Sequence, residues 1–207
     1  MKNMIILILV GILLGCSSKQ HSYTDVQVEQ FQLQFQKHVI EKNEYYKNGE
    51  HSPILEEDKT KFTGLHFYQY DPNYRFEGPI SKYEEPETVI IYGTKKDDER
   101  PSLKYGHFDF AWNNQKYQLQ IYKIIRKDTT YQHYLFLGFT DETSNKETYG
   151  GGRYIDLEEN EDNFYIVDFN YAYNPYCAYN PKYSCAIPPK ENHLKIAIEA
   201  GEKKWHE

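Results

Sequence analysis

The sequence feature that most constrains the fold is an alternating pattern on both sides of two asparagines. Apolar side chains occupy every second position before and after Asn113-Asn114, namely Phe108, Phe110, Trp112, Tyr117, Leu119 and Ile121. A period of two places such side chains on one face of a strand. Asparagine tolerates the positive φ that a two-residue hairpin turn requires. The pattern therefore predicts a β-hairpin with one buried face.

The same period of two recurs along most of the chain beyond Leu65. We expect strands near residues 65–70, 74–77, 87–92, 103–112, 115–125, 131–139, 153–157, 164–169 and 194–198. Short strands with turn signals every eight to twelve residues or so are typical of antiparallel barrels and sandwiches. The sequence therefore predicts a mainly β domain, built as an antiparallel barrel or a sandwich-like sheet.

One or two helices are expected before the strands. Thr24 and Gln27 have the spacing of a capping box, and apolar residues at helical spacing follow. We therefore expect an amphipathic helix over residues 25–47. Ser52-Pro53 followed by acidic residues predicts a second, short helix. With these helices covering one end or face of the sheet, the fold class is α+β.

The beginning of the chain has the pattern of an export signal. Lys2 precedes an apolar run from Met4 to Leu14, which as a helix spans roughly 16 Å, about half of a bilayer core. A run of this length is typical of a signal peptide rather than a transmembrane helix. Leu13-Leu14-Gly15-Cys16 resembles the lipobox of bacterial lipoproteins. The resemblance implies cleavage before Cys16 and lipid attachment to its sulfur, whereas the alternative is an ordinary signal peptide that ends near a cysteine.

These observations define the expected organisation and location. We expect a signal peptide at 1–15, a tether at 16–24 and a single globular domain at 25–204. Several acyl chains on one residue give stable membrane attachment. Ser17 follows Cys16, where no Asp signals retention in the inner membrane. The expected location is therefore the cell envelope, with the protein anchored in the outer membrane and facing the periplasm.

The charge of the chain bears on its partners. The formal net charge is −7, and the sequence has no basic block of the kind that binds phosphate backbones. Nucleic acid is therefore not an expected partner. The expected partners are the membrane, through the lipid on Cys16, and a small-molecule ligand, while the sequence identifies no cofactor.

Several longer motifs lie in the last third of the chain. Residues 147–157 read Glu-Thr-Tyr-Gly-Gly-Gly-Arg-Tyr-Ile-Asp-Leu, and Ala-Tyr-Asn-Pro occurs at both 172–175 and 178–181. Residues 187–192 read Ile-Pro-Pro-Lys-Glu-Asn. With these motifs the chain resembles domain-of-unknown-function family 1684 over residues 25–204. The resemblance implies no particular activity, and His193 departs from the Arg that the family pattern leads us to expect.

The glycine-rich motif indicates a candidate binding site. Gly150-Gly151-Gly152 precedes Arg153, and exposed amides beside an arginine can hold a carboxylate or a phosphate. The structural alternative is a bend at a sheet corner. The nearby residues 171–190 contain prolines that exclude a central strand, and many tyrosines. We expect this segment to pack back on the sheet as the wall of a cleft, or else as a plug that closes one end.

Three kinds of side chain form the candidate ligand site. Arg153 is the expected charge clamp, tyrosines would stack and donate hydroxyl hydrogen bonds, and asparagines would give directional hydrogen bonds. Acidic residues would serve as acid and base if the cleft is catalytic. The candidates are Glu147, Tyr149, Arg153, Asp168, Asn170, Tyr173, Asn174, Tyr176 and Glu191.

Cys177 and Cys185 are separated by seven residues. An oxidising compartment favours a disulfide between them, and this is our prediction; buried free thiols are the alternative. A metal site with His193 and Glu191 is less favoured, because the Cys-x-x-Cys pair typical of zinc sites is absent from the sequence.

Three functions remain open at this point. Tyrosines and asparagines without an evident nucleophile favour a binding module for a small polar or anionic ligand. A hydrolase or transferase would use Glu147 and Asp168, or Glu191, as paired carboxylates in the same cleft. A purely structural envelope lipoprotein is the third hypothesis. The sequence leaves enzymatic activity undecided and favours binding.

Overall fold

The computed structural model describes residues 22–126 and 131–205. The predicted signal peptide and the predicted lipidation site Cys16 lie outside these residues. Helix α1, Asp25–Asn48, begins at Thr24, whose side chain accepts a hydrogen bond from Gln27 N–H while the Gln27 side chain reaches back to Thr24 N–H. The predicted capping box and helix are therefore confirmed.

Helix α2, Glu56–Lys59, is a single turn and is shorter than expected. The Ser52 hydroxyl donates to the carbonyl of Tyr46 and accepts from Ile54 N–H. It is therefore not available to cap a helix, and the helix begins only after Leu55, which has no capping hydrogen bond from its side chain. No helix in the described part of the chain has the length and hydropathy needed to cross a bilayer.

The described residues contain nine strands in two sheets. The strands are β1 Arg75–Gly78, β2 Ser81–Lys82, β3 Thr88–Tyr92, β4 Glu99–Trp112, β5 Gln115–Ile124, β6 Tyr134–Asp141, β7 Arg153–Glu158, β8 Tyr165–Asp168 and β9 His193–Leu194. The larger sheet has the order β2-β4-β5-β6-β7, with β3 beside β4 and β9 beside β6, and the smaller sheet pairs β1 with β8. All pairs are antiparallel except β6 with β9. The predicted mainly β, sandwich-like architecture is confirmed, and the described strands do not close into a barrel.

The predicted hairpin is present in the expected register. Asn113 and Asn114 have φ of 49° and 62°, as a tight two-residue turn requires. Phe110 lies opposite Tyr117, and Trp112 lies opposite Gln115. The local pattern was sufficient here because the turn and both strands belong to one continuous segment.

Two predicted strands are reduced in the structure. In the segment 65–70, Phe67 forms an isolated bridge with Glu202, and Tyr68 N–H donates to the carbonyl of Gly201. The segment 194–198 contributes only β9. Both segments alternate in sequence, but each meets a neighbour at isolated points rather than along a continuous ladder.

The larger sheet is covered on both faces. One face packs against β1, β8 and the segment 194–200, in a core that includes Phe76, Phe110, Leu137 and Phe169. The opposite face packs against the segment 171–190, which contributes Cys185 and Ala186 to a second cluster with Tyr122 and Phe136. The long tyrosine-rich segment therefore packs back on the sheet, as expected.

The sheet is partly open between β5 and β6, where only Tyr122 and Phe136 are paired. The fully buried Asn192 fills this gap. Its amide donates to the carbonyls of Gln120 (2.9 Å) and Gly138 (2.8 Å), and its carbonyl accepts from Gln120 N–H (2.7 Å). One side chain thus replaces several backbone bonds of the ladder.

Candidate functional site

The turn that follows β6 is organised by a buried carboxylate. Asp141 accepts hydrogen bonds from the backbone N–H and the hydroxyl of Thr143, and its own N–H donates to Ser144 Oγ at 3.0 Å. The hydroxyls of Thr143 and Thr148 lie 2.8 Å apart. The hydrogen bonds of the buried Asp141 therefore fix the shape of this turn.

Arg153 lies beneath this turn and is directed into the protein. Its side chain is 1% exposed and its Nη2 lies 2.6 Å from Asp141 Oδ2. The guanidinium also donates to the carbonyls of Ile198 (3.0 Å) and Ala200. The predicted charge clamp would need a guanidinium free to meet a ligand, whereas here the Arg153 side chain is paired internally and holds Asp141 in place.

The glycine run has two distinct roles. Gly152 has φ of +87°, and a Cβ there would lie 2.6 Å from Pro188 Cγ and 2.7 Å from the carbonyl oxygen of Phe139. Gly152 therefore forms a bend where two segments pass too closely for any side chain, as the structural alternative expected. Gly150, by contrast, lines a surface pocket.

This pocket has a volume of about 330 Å³ and a mostly polar lining. The lining residues are Thr140, Asp141, Glu142, Ser144, Asn145, Lys146, Gly150 and His193. His193 is brought there by the parallel pairing of β9 with β6, in which it lies opposite Thr140. Its Nδ1 is 3.0 Å from Thr140 Oγ1, and its Nε2 is 3.6 Å from Glu142 Oε1. The pocket thus contains a carboxylate, an imidazole, an ammonium group and hydroxyls.

The three predicted acid or base residues have different surroundings. Asp168 is buried and contacts Arg75 (3.6 Å) and Tyr70, and burial raises the pKa of its carboxyl. Glu191 is exposed, and the hydrogen bond from Tyr122 (2.6 Å) lowers its pKa. Glu147 is exposed on the turn after β6. These acids contact separate sets of partners, and none of the three lines the pocket.

The two predicted asparagines are buried and bound to the protein itself. Asn170 accepts from the N–H of Asp71 (2.9 Å) and donates to its carbonyl (2.8 Å). Asn174 donates to Glu202 Oε1 (3.1 Å) and to the carbonyl of Lys203 (2.8 Å). Both side chains hold segments of the fold together, which differs from the predicted contacts with a ligand.

The three predicted tyrosines are partly exposed but do not line the pocket. Tyr173 donates to Asp156 at 2.7 Å. The Tyr176 hydroxyl lies 3.4 Å from that of Tyr45 on helix α1. Tyr149 lies 3.8 Å from Cys177 Sγ. The three side chains therefore contact different parts of the fold, namely Asp156, helix α1 and Cys177.

Cys177 and Cys185 are unbonded thiols in the structure, and the disulfide between them stays a prediction. They are nevertheless neighbours, because Cys177 N–H donates to Cys185 Sγ at 3.1 Å. His193 contacts Thr140 and Glu142, not the cysteines. Within residues 22–126 and 131–205, no group of three or more His, Cys, Asp or Glu side chains could hold a metal ion.

Sequence reasoning missed most of the pocket. Gly150 and His193 belong to motifs considered above for a ligand or a metal site, whereas Thr140, Glu142 and Lys146 are not among the predicted site residues. The distance along the chain between Thr140 and His193 explains this, because only the pairing of β6 with β9 brings them together.

Comparison with known proteins agrees with the fold. No curated protein matches the sequence. The solution NMR structure of an uncharacterised protein of Haloarcula marismortui is similar, with 32% identity and a TM-score of 0.65, and the match covers 87% of this chain and 97% of that one. The family model described as "Protein of unknown function (DUF1684)" matches residues 60–203. The chain therefore belongs to the DUF1684 family of proteins of unknown function.

Proposed function

We propose that this chain is a lipid-anchored protein of the cell envelope whose domain binds a small polar ligand in the pocket lined by Glu142, Lys146 and His193. The observation that carries the binding proposal is the arrangement of this pocket. Opposite charges and hydroxyl groups converge there on a turn that the buried Arg153–Asp141 pair holds rigid. Preorganised polar groups in a concavity are typical of ligand sites.

The chemistry of the lining limits the ligand class. Glu142 and Thr140 can accept hydrogen bonds, Lys146 can donate them to a carboxylate or phosphate, and the imidazole of His193 has ring nitrogens that can donate or accept. The volume of about 330 Å³ lies at the small end of ligand pockets. A single amino acid, a single sugar or a phosphate fits this size and polarity.

The catalytic alternative has less support. Glycoside hydrolysis uses two carboxyl groups roughly 5–9 Å apart that face one substrate. The candidates Glu147, Asp168 and Glu191 have separate surroundings, and the last two are each engaged by a cation and a tyrosine. A purely structural role would not account for the charged and hydroxyl-bearing side chains that line the pocket.

The binding proposal is tested by thermal-shift screening of the chain against amino acids, monosaccharides and inorganic phosphate. We expect at least one probe to raise the melting temperature, and Glu142→Gln and His193→Ala to reduce that response at least tenfold in apparent affinity, which corresponds to about 1.4 kcal/mol. Glu85→Gln is the matched control, since Glu85 is exposed and far from the pocket in sequence. A response that survives both pocket substitutions would place the ligand elsewhere.

The anchor is tested separately. Cys16→Ser should move the protein from the membrane fraction to the soluble fraction, because the acyl chains provide the attachment. A Cys16→Ser protein that still fractionates with membranes would contradict the anchor and leave the binding proposal unaffected.

A further inference from the structure

A second chemically distinctive feature lies outside the pocket, at Cys177 and Cys185. The backbone N–H of Cys177 donates to Cys185 Sγ at 3.1 Å, so the Cys185 sulfur is held against the backbone of Cys177. Cys185 is buried, with 8% exposure, whereas Cys177 is partly exposed. Cys177 is therefore the more accessible residue of the pair.

Hydrogen-bond donors lie around the sulfur of Cys177. The hydrogen bond from the thiol of Cys185 lowers the pKa of Cys177, and hydrogen bonds from the hydroxyls of Tyr149 and Thr94 act in the same direction. The same contact, together with burial, raises the pKa of Cys185. Because the thiolate is the nucleophile in thiol–disulfide exchange, Cys177 is the attacking group and Cys185 the second, protonated group.

The segment between the two cysteines is folded back on itself by backbone hydrogen bonds. Asn180 N–H donates to the carbonyl of Tyr176 (3.1 Å), and Tyr183 N–H donates to the carbonyl of Asn180 (3.2 Å). Thr94 N–H donates to the carbonyl of Cys185 (2.9 Å), which fixes Cys185 beside β3. A bond between the sulfurs would close only a short loop, and short loops add less stabilisation through chain entropy than long ones.

We infer that Cys177 and Cys185 form a reversible redox pair that reacts with low-molecular-weight disulfides. The Cys177 thiolate attacks one sulfur of the external disulfide, whose S–S bond breaks and releases one thiolate that takes a proton. Cys185 then loses its proton to solvent and attacks Cys177 Sγ, breaking the mixed disulfide and releasing the second thiol. Two protein thiols are oxidised to one disulfide, and one external disulfide is reduced to two thiols. This inference is independent of the ligand pocket.

The test uses the full chain with Cys16→Ser, so that Cys177 and Cys185 are the remaining cysteines. After reaction of the reduced protein with glutathione disulfide at neutral pH, mass spectrometry should show the loss of two hydrogen atoms and no bound glutathione. Excess reduced glutathione should reverse this change. Cys185→Ser should retain one glutathione on Cys177, and Cys177→Ser should react at least about tenfold more slowly, because the remaining thiol is buried and protonated.

Denaturant provides the control, since the two single variants should react at similar rates once unfolded. If either variant does not fold, alkylation of the wild-type pair followed by peptide mapping should show the same preference for Cys177. Three results would each overturn the inference: glutathione adducts on the wild-type chain without an internal bond, equal reactivity of the two native sulfurs, or an internal bond that reduced glutathione does not open.

Discussion

Replacing Arg153 tests whether this side chain supports the fold or meets a ligand. The guanidinium and the Asp141 carboxylate are 1% and 0% exposed and lie 2.6 Å apart. Arg153→Met would leave a buried carboxylate without its cation and would free the carbonyls of Ile198 and Ala200. Removing one partner of a buried ion pair costs about 3–5 kcal/mol. We expect a loss of that size, and a melting temperature lower by roughly 6–20 °C.

Urea denaturation measures this loss as a lower midpoint with an unchanged slope. Asp141→Asn should also destabilise the protein, and the double variant should lose less than the sum of the two, by about 1–3 kcal/mol, because the two groups interact directly. Arg126→Met is the control: Arg126 is exposed, and its replacement should change stability by no more than about 0.5 kcal/mol. If Arg153→Met cost less than about 1 kcal/mol while abolishing the response to the best ligand, Arg153 would be a ligand contact and the reasoning would fail.

Three further predictions follow from single side chains. Gly152→Ala should cost at least about 1–3 kcal/mol, because φ of +87° and the contact with Pro188 both exclude a Cβ; an unchanged unfolding midpoint would contradict this. Asn192→Ala should cost about 3 kcal/mol by urea denaturation, since three hydrogen bonds across the β5–β6 gap are lost, and a loss below about 1 kcal/mol would show that the gap closes without it. The hydrogen bond from Arg100 lowers the pKa of Asp98 to about 2 from 3.8. The contribution of this ionised carboxylate to the free energy of unfolding is therefore fully present above about pH 4, and it is lost as the pH falls towards 2. Asp98→Asn should remove that part of the acid dependence of stability, and identical curves for the two proteins between pH 4 and 2 would refute the assignment.

The parts of the fold that the sequence predicted are those set by neighbouring residues. The Thr24 capping box and the Asn113-Asn114 hairpin each lie within one short segment, so local pattern and local energetics agree. The segment 65–70 also alternates, but its neighbour is the distant stretch near Glu202. Alternation predicts that one face is buried, and it does not show whether a continuous partner strand exists.

The candidate site was harder to predict for a different reason. An arginine beside three glycines is more often exposed than buried, so a surface clamp was the reasonable hypothesis for Arg153. In the structure the carboxylate of Asp141 binds the Arg153 guanidinium inside the protein, and no sequence pattern connects these two residues. Likewise, Thr140 and His193 meet only through the pairing of two strands that are far apart in the chain. Sequence reasoning therefore assigned to ligand binding several residues, such as Arg153, Asn170 and Asn174, that the fold buries.

The position of Asn192 and of the residues that follow it has a consequence for how the protein is made. Within residues 192–204, Asn192 bridges the gap between β5 and β6. The same segment supplies both backbone carbonyls that bind Arg153. Its N–H groups also donate to the carbonyls of Ala172 and His66. While this segment of about thirteen residues is still inside the ribosome, the growing chain lacks all of these contacts. We therefore expect the growing polypeptide to stay loose and protease-sensitive until this segment has left the ribosome.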